Sequence, residues 1–273
     1  MADTPALPGR VLIIAGSDSG GGAGLQADLK TVTMLGGYGM TAVTAITAQD
    51  TTGVHGVWPV AVDAVTAQMR ACLTDLGADA VKTGMLGSAA LVEQVGETLD
   101  ALARDTPRII DPVMVATSGD RLVDDTAVSA IAAVLIPGAV LVTPNAPEAE
   151  VLTGKAVDGV NGQHRAAEAL LERGAKGALV KGGHIPGQIL VDVLHTEQGE
   201  WMFESPRLET RSTHGTGCTL ASACATGLAQ GQPVDHAVSA ARDYLYQAIK
   251  HAPGLGAGHG PVAHNWALDQ RED

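Results

Sequence analysis

Short apolar runs alternate along the chain with longer segments in which apolar residues recur every three to four positions. The run Arg10–Gly16 is rich in β-branched residues and ends in glycine, so it predicts a buried strand. Leu25–Leu35 predicts a helix, and Met40–Asp50 predicts a second strand. The next helix is indicated by apolar residues that share one helical face, namely Val62, Val65, Met69, Cys72 and Leu76.

The same alternation continues towards the C-terminus. Residues 54–60 alternate between apolar and polar side chains and predict a short edge element or flap. Further strands are predicted within residues 79–86, 107–115, 138–145 and 177–183, with a hairpin over residues 188–206. The strand within residues 107–115 is expected to be broken by Pro112. Further helices are predicted at residues 88–104, 124–135, 164–174 and 234–250, and directly after Gly217.

Such an order of elements predicts an α/β fold. Its centre would be a mostly parallel sheet with helices on both faces, right-handed crossovers and a small β flap. No linker, charge block or internal repeat divides the sequence, so residues 1–273 are expected to form a single domain. Residues 1–9 and 268–273 are expected to be flexible, as chain ends commonly are.

Composition agrees with a buried parallel sheet. Hydrophobic residues make up 45% of the chain but aromatic residues only 3%, with one phenylalanine. The core must therefore consist mainly of Val, Leu, Ile and Ala, the residues typical of parallel strands covered by helices.

The net charge of −13 excludes several classes of partner. No cluster of Lys and Arg is present, so neither a nucleic acid nor an anionic membrane is an expected partner. Three cysteines without a CxxC pair argue against a disulfide framework and favour a reducing compartment. With no signal-peptide pattern and no apolar run of ~18 residues, a cytoplasmic protein is expected.

Polar and glycine-rich segments follow the predicted strands. Ligands of open α/β sheets bind beyond the carboxyl ends of the strands, so these segments are the candidate site. The loop GSDSGGGAGLQAD at residues 16–28 lacks the Lys-Ser/Thr of a phosphate-binding P-loop. Its segment GAGLQA fits the dinucleotide pattern G-x-G-x-x-A, but it begins several residues after the strand end instead of directly at it, so a nicotinamide site is not indicated. It is either a ligand-facing loop or a flexible connection.

The segment HGTGC at residues 214–218 is more specific. Glycines before a helix let the backbone approach a ligand, and the free N–H groups of the first helical turn attract anions. Gly215, Thr216, Gly217 and Cys218 are therefore candidates for an anion hole. The alternative is an ordinary glycine-rich helix start packed on the sheet. His214 is interpreted as structural rather than as a general base.

Charged residues at other strand ends could complete a phosphate site. Asp111 and Glu148 could hold Mg²⁺ through waters, and Lys181 could contact a phosphate. Each has a plainer alternative: a turn carboxylate for Asp111, helix capping for Asn145 and Glu148, and a surface lysine for Lys181. Lys82 is expected to pair with an unidentified buried carboxylate. The histidines form no HxxxH or HExxH pair, so no zinc site is predicted.

Seven segments carry a family resemblance. They read AGSDSGGGAGLQADLKT, TAITAQDTTGV, KTGML, DPVM, TPNAPEAEVL, VKGGH and STHGTGCTLASA. In this order they closely resemble the hydroxymethylpyrimidine/phosphomethylpyrimidine kinases of thiamine biosynthesis, which belong to the ribokinase-like superfamily. The resemblance runs from about Val11 to the GHGPVAH segment and covers nearly the whole chain.

The resemblance implies a ribokinase-like fold, ATP as phosphoryl donor, Mg²⁺ and a homodimer. It implies Cys218 with Gly215, Thr216 and Gly217 as the catalytic anion hole. Asn145, Asp111 and Lys181 would face the nucleotide phosphates, and Glu148 with Asp111 would serve the metal. In the pyrimidine pocket, Gln49 and Asp28 would bond the aminopyrimidine edge. The residues that would line this pocket are Gly16, Asp28, Thr47, Gln49, Met85 and Val113.

Two positions bear on the substrate. Many sugar kinases of the superfamily have a general-base Asp where this chain has Cys218, and position 47 is Thr where an aliphatic residue is also usual. A thiol at a helix N-terminus can have a depressed pKa and act as a modest base. A neutral thiol would also not repel a second acceptor that already carries phosphate. The alternatives are a pyridoxine or pyridoxal kinase and a non-catalytic pyrimidine- or nucleotide-binding regulator.

Overall fold

The computed structural model describes residues 8–116, 119–120 and 122–269. Within these ranges nine strands form one sheet in the order β3-β2-β1-β4-β5-β6-β7-β8-β9. The strands are β1 (Arg10–Asp18), β2 (Tyr38–Gln49), β3 (Val54–Pro59), β4 (Ala80–Thr83), β5 (Arg108–Ile110), β6 (Leu141–Val142), β7 (Gly177–Val180), β8 (Ile189–Thr196) and β9 (Gly199–Pro206).

The sheet is mostly parallel. Strands β2, β1, β4, β5, β6 and β7 run in the same direction, whereas β3 pairs antiparallel with β2 at one edge. The hairpin β8–β9 continues the sheet antiparallel to β7 at the other edge. The predicted fold class, edge element and hairpin are therefore confirmed.

Helices cover both faces of this sheet. They are α1 (Gly24–Met34), α2 (Val62–Ala71), α3 (Ala89–Leu102), α4 (Asp125–Ala130), α5 (Ala146–Thr153), α6 (Val160–Glu172), α7 (Thr216–Ala229), α8 (Val234–Lys250) and α9 (Trp266–Asp269). Short π-helical turns at Cys72–Leu76 and Ile131–Leu135 extend α2 and α4. None of the helices in the described ranges combines the length and apolar character needed to cross a bilayer.

Alternation along β1 divides the core into two layers. Leu12 and Ile14 pack with the helices α2 to α6, whereas Val11 and Ile13 pack with α1, α7 and α8. Successive side chains of a strand point to opposite faces, so one apolar strand serves both layers. This explains why the strand signal in the sequence is a continuous apolar run rather than an alternating one.

Several element boundaries can be compared with the sequence expectation. Strand β5 ends at Ile110, ahead of the break that was predicted at Pro112, because proline cannot donate to the ladder. Helix α7 begins at Thr216, ahead of Gly217. Of the ends expected to be flexible, residues 1–7 and 270–273 lie outside the described residues, whereas the carbonyl of Gly9 accepts a hydrogen bond from the Tyr38 N–H.

Candidate active site

A cavity of about 960 Å³ lies at the carboxyl ends of the parallel strands. It receives the loop after β1, the end of β2, the segments after β4 to β7 and the first turn of α7. The residues predicted from sequence to form the site line this cavity, with the exception of Asp28. They are Gly16, Thr47, Gln49, Met85, Asp111, Val113, Asn145, Glu148, Lys181, Gly215, Thr216, Gly217 and Cys218.

Asp28 does not line the cavity, and its expected contact with the pyrimidine edge stays a prediction. The side chain lies on α1 and is fully buried, with Lys82 Nζ 2.9 Å from its Oδ1. Ser222 donates a second hydrogen bond to the same oxygen. Burial alone would lower the pKa of Lys82, but the carboxylates of Asp28 and Asp111 outweigh burial and raise that pKa. Asp28 is the carboxylate partner that was expected for Lys82.

The glycine loop after β1 is held by Asp18, a residue that the sequence analysis did not select. Its carboxylate accepts the backbone N–H groups of Gly20, Gly22 and Ala23. His214 Nε2 lies 2.8 Å from Asp18 Oδ2, so the loop is tied to the segment before α7. Burial alone would raise the pKa of Asp18, but the bonds from His214 and the loop lower it. The structural role predicted for His214 fits this geometry.

One end of the cavity suits a flat ring. A Cβ added at Gly16 would lie 2.6 Å from Met85 Cε, so a side chain there would require the methionine to move. Thr47 donates to the carbonyl of Ser17 and lies 3.3 Å from Gln49 Oε1. Gln49 thus brings an amide, which can both donate and accept, to the wall of this pocket.

The other end contains the first turn of α7. Gly215 precedes the helix with a φ of 80°, and a Cβ there would collide with the carbonyl of Gly22. Only glycine therefore lets the two loops approach so closely. The N–H groups of Gly217 and Cys218 belong to the turn that has no intrahelical acceptors, and they lie at the cavity wall. This arrangement suits a phosphate or another oxyanion.

The Cys218 thiol differs from the activated thiol that the sequence suggested. Burial raises its pKa to about 12, and the nearby Asp28 and Asp111 carboxylates act in the same direction. Lys82 and the Gly24 N–H oppose this effect without reversing it. This direction is opposite to the depressed pKa expected from the sequence, and burial is its largest cause. Cys218 is a neutral thiol at the cavity wall.

Three charged side chains lie next to this turn. Lys181 Nζ is 3.4 Å from Asp111 Oδ1, and Lys82 Nζ is 3.8 Å from Asp111 Oδ2. Asp111 is only 2% exposed, yet its Oδ2 has no hydrogen-bond partner among the described residues. Burial would lower the pKa of Lys181, but Asp111 and Glu148 raise it, so the ammonium persists. A buried, unpartnered carboxylate oxygen marks a place for a cation or a donor group.

Glu148 has two roles in the geometry. It completes a capping box: its carboxylate accepts the Asn145 N–H at 2.8 Å, while Asn145 Oδ1 accepts the Glu148 N–H. Burial raises the pKa of Glu148 to about 7, and Asp111 also raises it whereas Lys181 opposes. Helix capping is therefore present, and the same carboxylate also lines the cavity.

Comparison with known proteins gives one consistent family. The family model described as phosphomethylpyrimidine kinase matches residues 18–263. A hydroxymethylpyrimidine/phosphomethylpyrimidine kinase of Streptomyces coelicolor is 50% identical over 266 residues, which cover 97% of this chain and 98% of that protein.

Solved structures show the same fold. The pyridoxal kinase of Staphylococcus aureus in complex with pyridoxal has a TM-score of 0.89 and 34% identity, with 98% of this chain and 96% of that chain covered. The phosphomethylpyrimidine kinase of Clostridium difficile has a TM-score of 0.79 and 38% identity, with 88% and 99% covered.

Proposed function

Because the chain belongs to the phosphomethylpyrimidine kinase family, we propose that it phosphorylates 4-amino-5-hydroxymethyl-2-methylpyrimidine and then the resulting monophosphate, with ATP as donor. This makes the protein a phosphotransferase of thiamine biosynthesis. One observation carries the proposal: a single cavity joins a ring-sized pocket at Gln49 to an anion-binding helix turn at Gly217. An acceptor in the pocket would direct its hydroxymethyl group towards that turn.

Charge stabilisation is the main task of the protein in phosphoryl transfer, since the transition state is loose. The N–H groups of Gly217 and Cys218 would bind the oxygens of the transferring group, and Lys181 would balance its charge. Thr216 and Gly215 shape the turn, and Asn145 and Asp111 would face the donor phosphates. A Cβ at Gly217 would lie 3.4 Å from Lys181 Nζ, so the turn and the Lys181 ammonium are close enough to contact the same phosphate group.

The residues present fit a magnesium ion. Asp111 Oδ2 is buried without a partner among the described residues, and the Glu148 carboxyl lies in the same group of charges. Mg²⁺ usually binds through one or two carboxylates together with waters and substrate phosphates. Asp111 and Glu148 would hold the ion, which would supply positive charge to the phosphate oxygens.

The neutral Cys218 thiol fits two acceptors in turn. The first acceptor is an uncharged alcohol, and the second is its phosphomonoester, which is already an anion. A thiol whose pKa is raised to about 12 stays uncharged near neutral pH and does not repel the second acceptor. This role replaces that of a base.

A second candidate function is a pyridoxal kinase, because the Staphylococcus aureus pyridoxal kinase superimposes with a TM-score of 0.89. An ADP-release assay with a panel of acceptors separates the two. We expect turnover of the hydroxymethylpyrimidine and its monophosphate at kcat/KM values well above that for pyridoxal. Preference for pyridoxal would overturn the proposal, and no ADP with any acceptor would indicate a binding protein.

The homodimer is also proposed, on the basis of apolar side chains at the β3 edge. Ile46 and Trp58 are paired neighbours on β2 and β3, and they are 55% and 59% exposed. Exposed apolar groups on an edge strand commonly mark an interface. Sedimentation velocity of the parent and of Trp58→Ser tests this: the parent should be dimeric, and the variant should dimerise more weakly.

The three free cysteines support the proposed cytoplasmic location.

A further inference from the structure

A group of three ligand-type side chains lies outside the cavity described above. His164 comes from α6, His195 from β8 and Glu200 from β9. Their ligand atoms all lie within 4.8 Å of one another, and they are the only such trio of His, Cys, Asp or Glu within the described ranges. None of the three lines the active-site cavity.

Two of the three distances within the trio match the edges of a coordination tetrahedron. His164 Nδ1 and His195 Nε2 are each 3.4 Å from Glu200 Oε2. Bonds of ~2.1 Å at tetrahedral angles place neighbouring ligand atoms about 3.4 Å apart. The remaining edge, between the two imidazole nitrogens, is 2.7 Å, which is a hydrogen-bond distance. Separating the rings by less than about 1 Å would admit a cation.

The framework behind these side chains is rigid. His195 is 3% exposed and pairs with Ala178 of β7 on one side and with Glu200 of β9 on the other. Gln163, the neighbour of His164, is fully buried and donates to the carbonyls of Val180 and Val191. Helix α6 is thus fixed to β7 and β8 beside the trio, which preorganises the two imidazoles.

We propose that His164, His195 and Glu200 bind one divalent transition-metal ion of the zinc type. Two imidazoles and one carboxylate favour Zn²⁺ over Mg²⁺ or Ca²⁺, which prefer oxygen ligands alone. The ion would join α6 to the β8–β9 hairpin. The sequence excluded a zinc site because no two histidines have helical spacing, but these two meet from positions 31 residues apart.

Zinc titration of the metal-stripped full chain tests the site. Isothermal titration calorimetry is performed with excess Mg²⁺, which occupies carboxylate sites elsewhere. One equivalent of Zn²⁺ should bind to the parent, and Glu200→Gln and His164→Gln should each weaken binding by about tenfold or more. Glu197→Gln, an exposed residue of the same hairpin turn, is the matched control and should bind like the parent.

Two results would overturn the proposal. One is the absence of saturable zinc binding by the parent. The other is equal binding by the parent, Glu200→Gln and His164→Gln, which would assign the zinc to cysteines or to active-site carboxylates. Cobalt gives a second readout: Co²⁺ should produce visible d–d bands in the parent that Glu200→Gln loses. A strong thiolate charge-transfer band would contradict the site, because it contains no cysteine.

Discussion

Gln49 tests substrate recognition at the scale of one side chain. Its amide lines the ring-sized end of the cavity and matches the donor and acceptor atoms of an aminopyrimidine. Gln49→Leu would leave the ring edge unpaired, at a cost of about 1–3 kcal/mol. KM for the pyrimidine should rise while KM for ATP stays within error, as steady-state kinetics can show. An unchanged pyrimidine KM would exclude Gln49 from recognition.

Glu148 tests metal dependence. Glu148→Gln removes the charge but leaves an oxygen that can still accept the Asn145 N–H, so the helix cap should survive. We expect a higher Mg²⁺ requirement and a lower kcat. Glu150→Gln is the matched control, since Glu150 lies on the same helix and bonds the Val157 N–H away from the cavity. Superimposable Mg²⁺ titrations of parent and Glu148→Gln would reduce Glu148 to a capping residue.

Cys218 tests the role of charge in the second transfer. In Cys218→Asp a carboxylate would face the incoming phosphomonoester, and two unit charges ~4 Å apart repel by ~4 kcal/mol at an effective dielectric of about 20. The amides of the turn reduce this ceiling. We expect kcat/KM for the monophosphate to fall much more than kcat/KM for the alcohol.

Cys218→Ser is the neutral control for that variant. It should affect the two acceptors to a similar extent, because serine adds no charge. Equal losses on both acceptors in Cys218→Asp would show that Cys218 matters for geometry alone.

At the scale of elements, His264 connects the segment after α8 to α7 through a hydrogen bond with Thr219. This side chain is 5% exposed and lies 3.0 Å from Thr219 Oγ1, and its carbonyl accepts the Tyr244 hydroxyl. Burial lowers the pKa of His264 to about 4. As the pH falls from about 6.5 to about 4, this histidine is protonated in the unfolded chain but stays neutral in the folded protein. The free energy of unfolding therefore decreases as the pH falls through this range.

Urea unfolding at pH 7 and pH 5 measures this contribution. From pH 7 to pH 5, the free energy of unfolding should fall by about 2 kcal/mol more in the parent than in His264→Gln, because glutamine does not titrate. Glutamine can still bond Thr219, which limits the damage at pH 7. Equal losses in the two proteins would show that His264 does not contribute to the acid sensitivity.

Elements also show what the sequence could predict. Apolar runs that end in glycine or polar residues mark the strands and their carboxyl ends, so the sequence alone places the candidate residues at one sheet edge. The pairings Asp28–Lys82 and Asp18–His214 could not be predicted, because they join positions 54 and 196 residues apart. The pKa of Cys218 could not be predicted either, since it depends on burial by several elements.

At the scale of the molecule, one sheet connects all parts of the site. Strands β1 and β2 carry the pocket end, β5 to β7 lead to the charged residues, and α7 begins at the proposed anion hole. Both core layers share the central strands, so we propose that residues 1–273 fold as one domain. A rigid sheet keeps pocket and anion hole at a fixed separation, which suits two transfers in the same place.

The stoichiometry and competition of the complete reaction test most directly that one cavity performs both transfers. ADP release is measured per mole of 4-amino-5-hydroxymethyl-2-methylpyrimidine, and the monophosphate is also used as an inhibitor of the first step. Two ADP per pyrimidine are expected, with the monophosphate competitive against the alcohol and its Ki equal to its own KM. A single ADP per pyrimidine, or inhibition that is not competitive with the alcohol, would contradict a shared site.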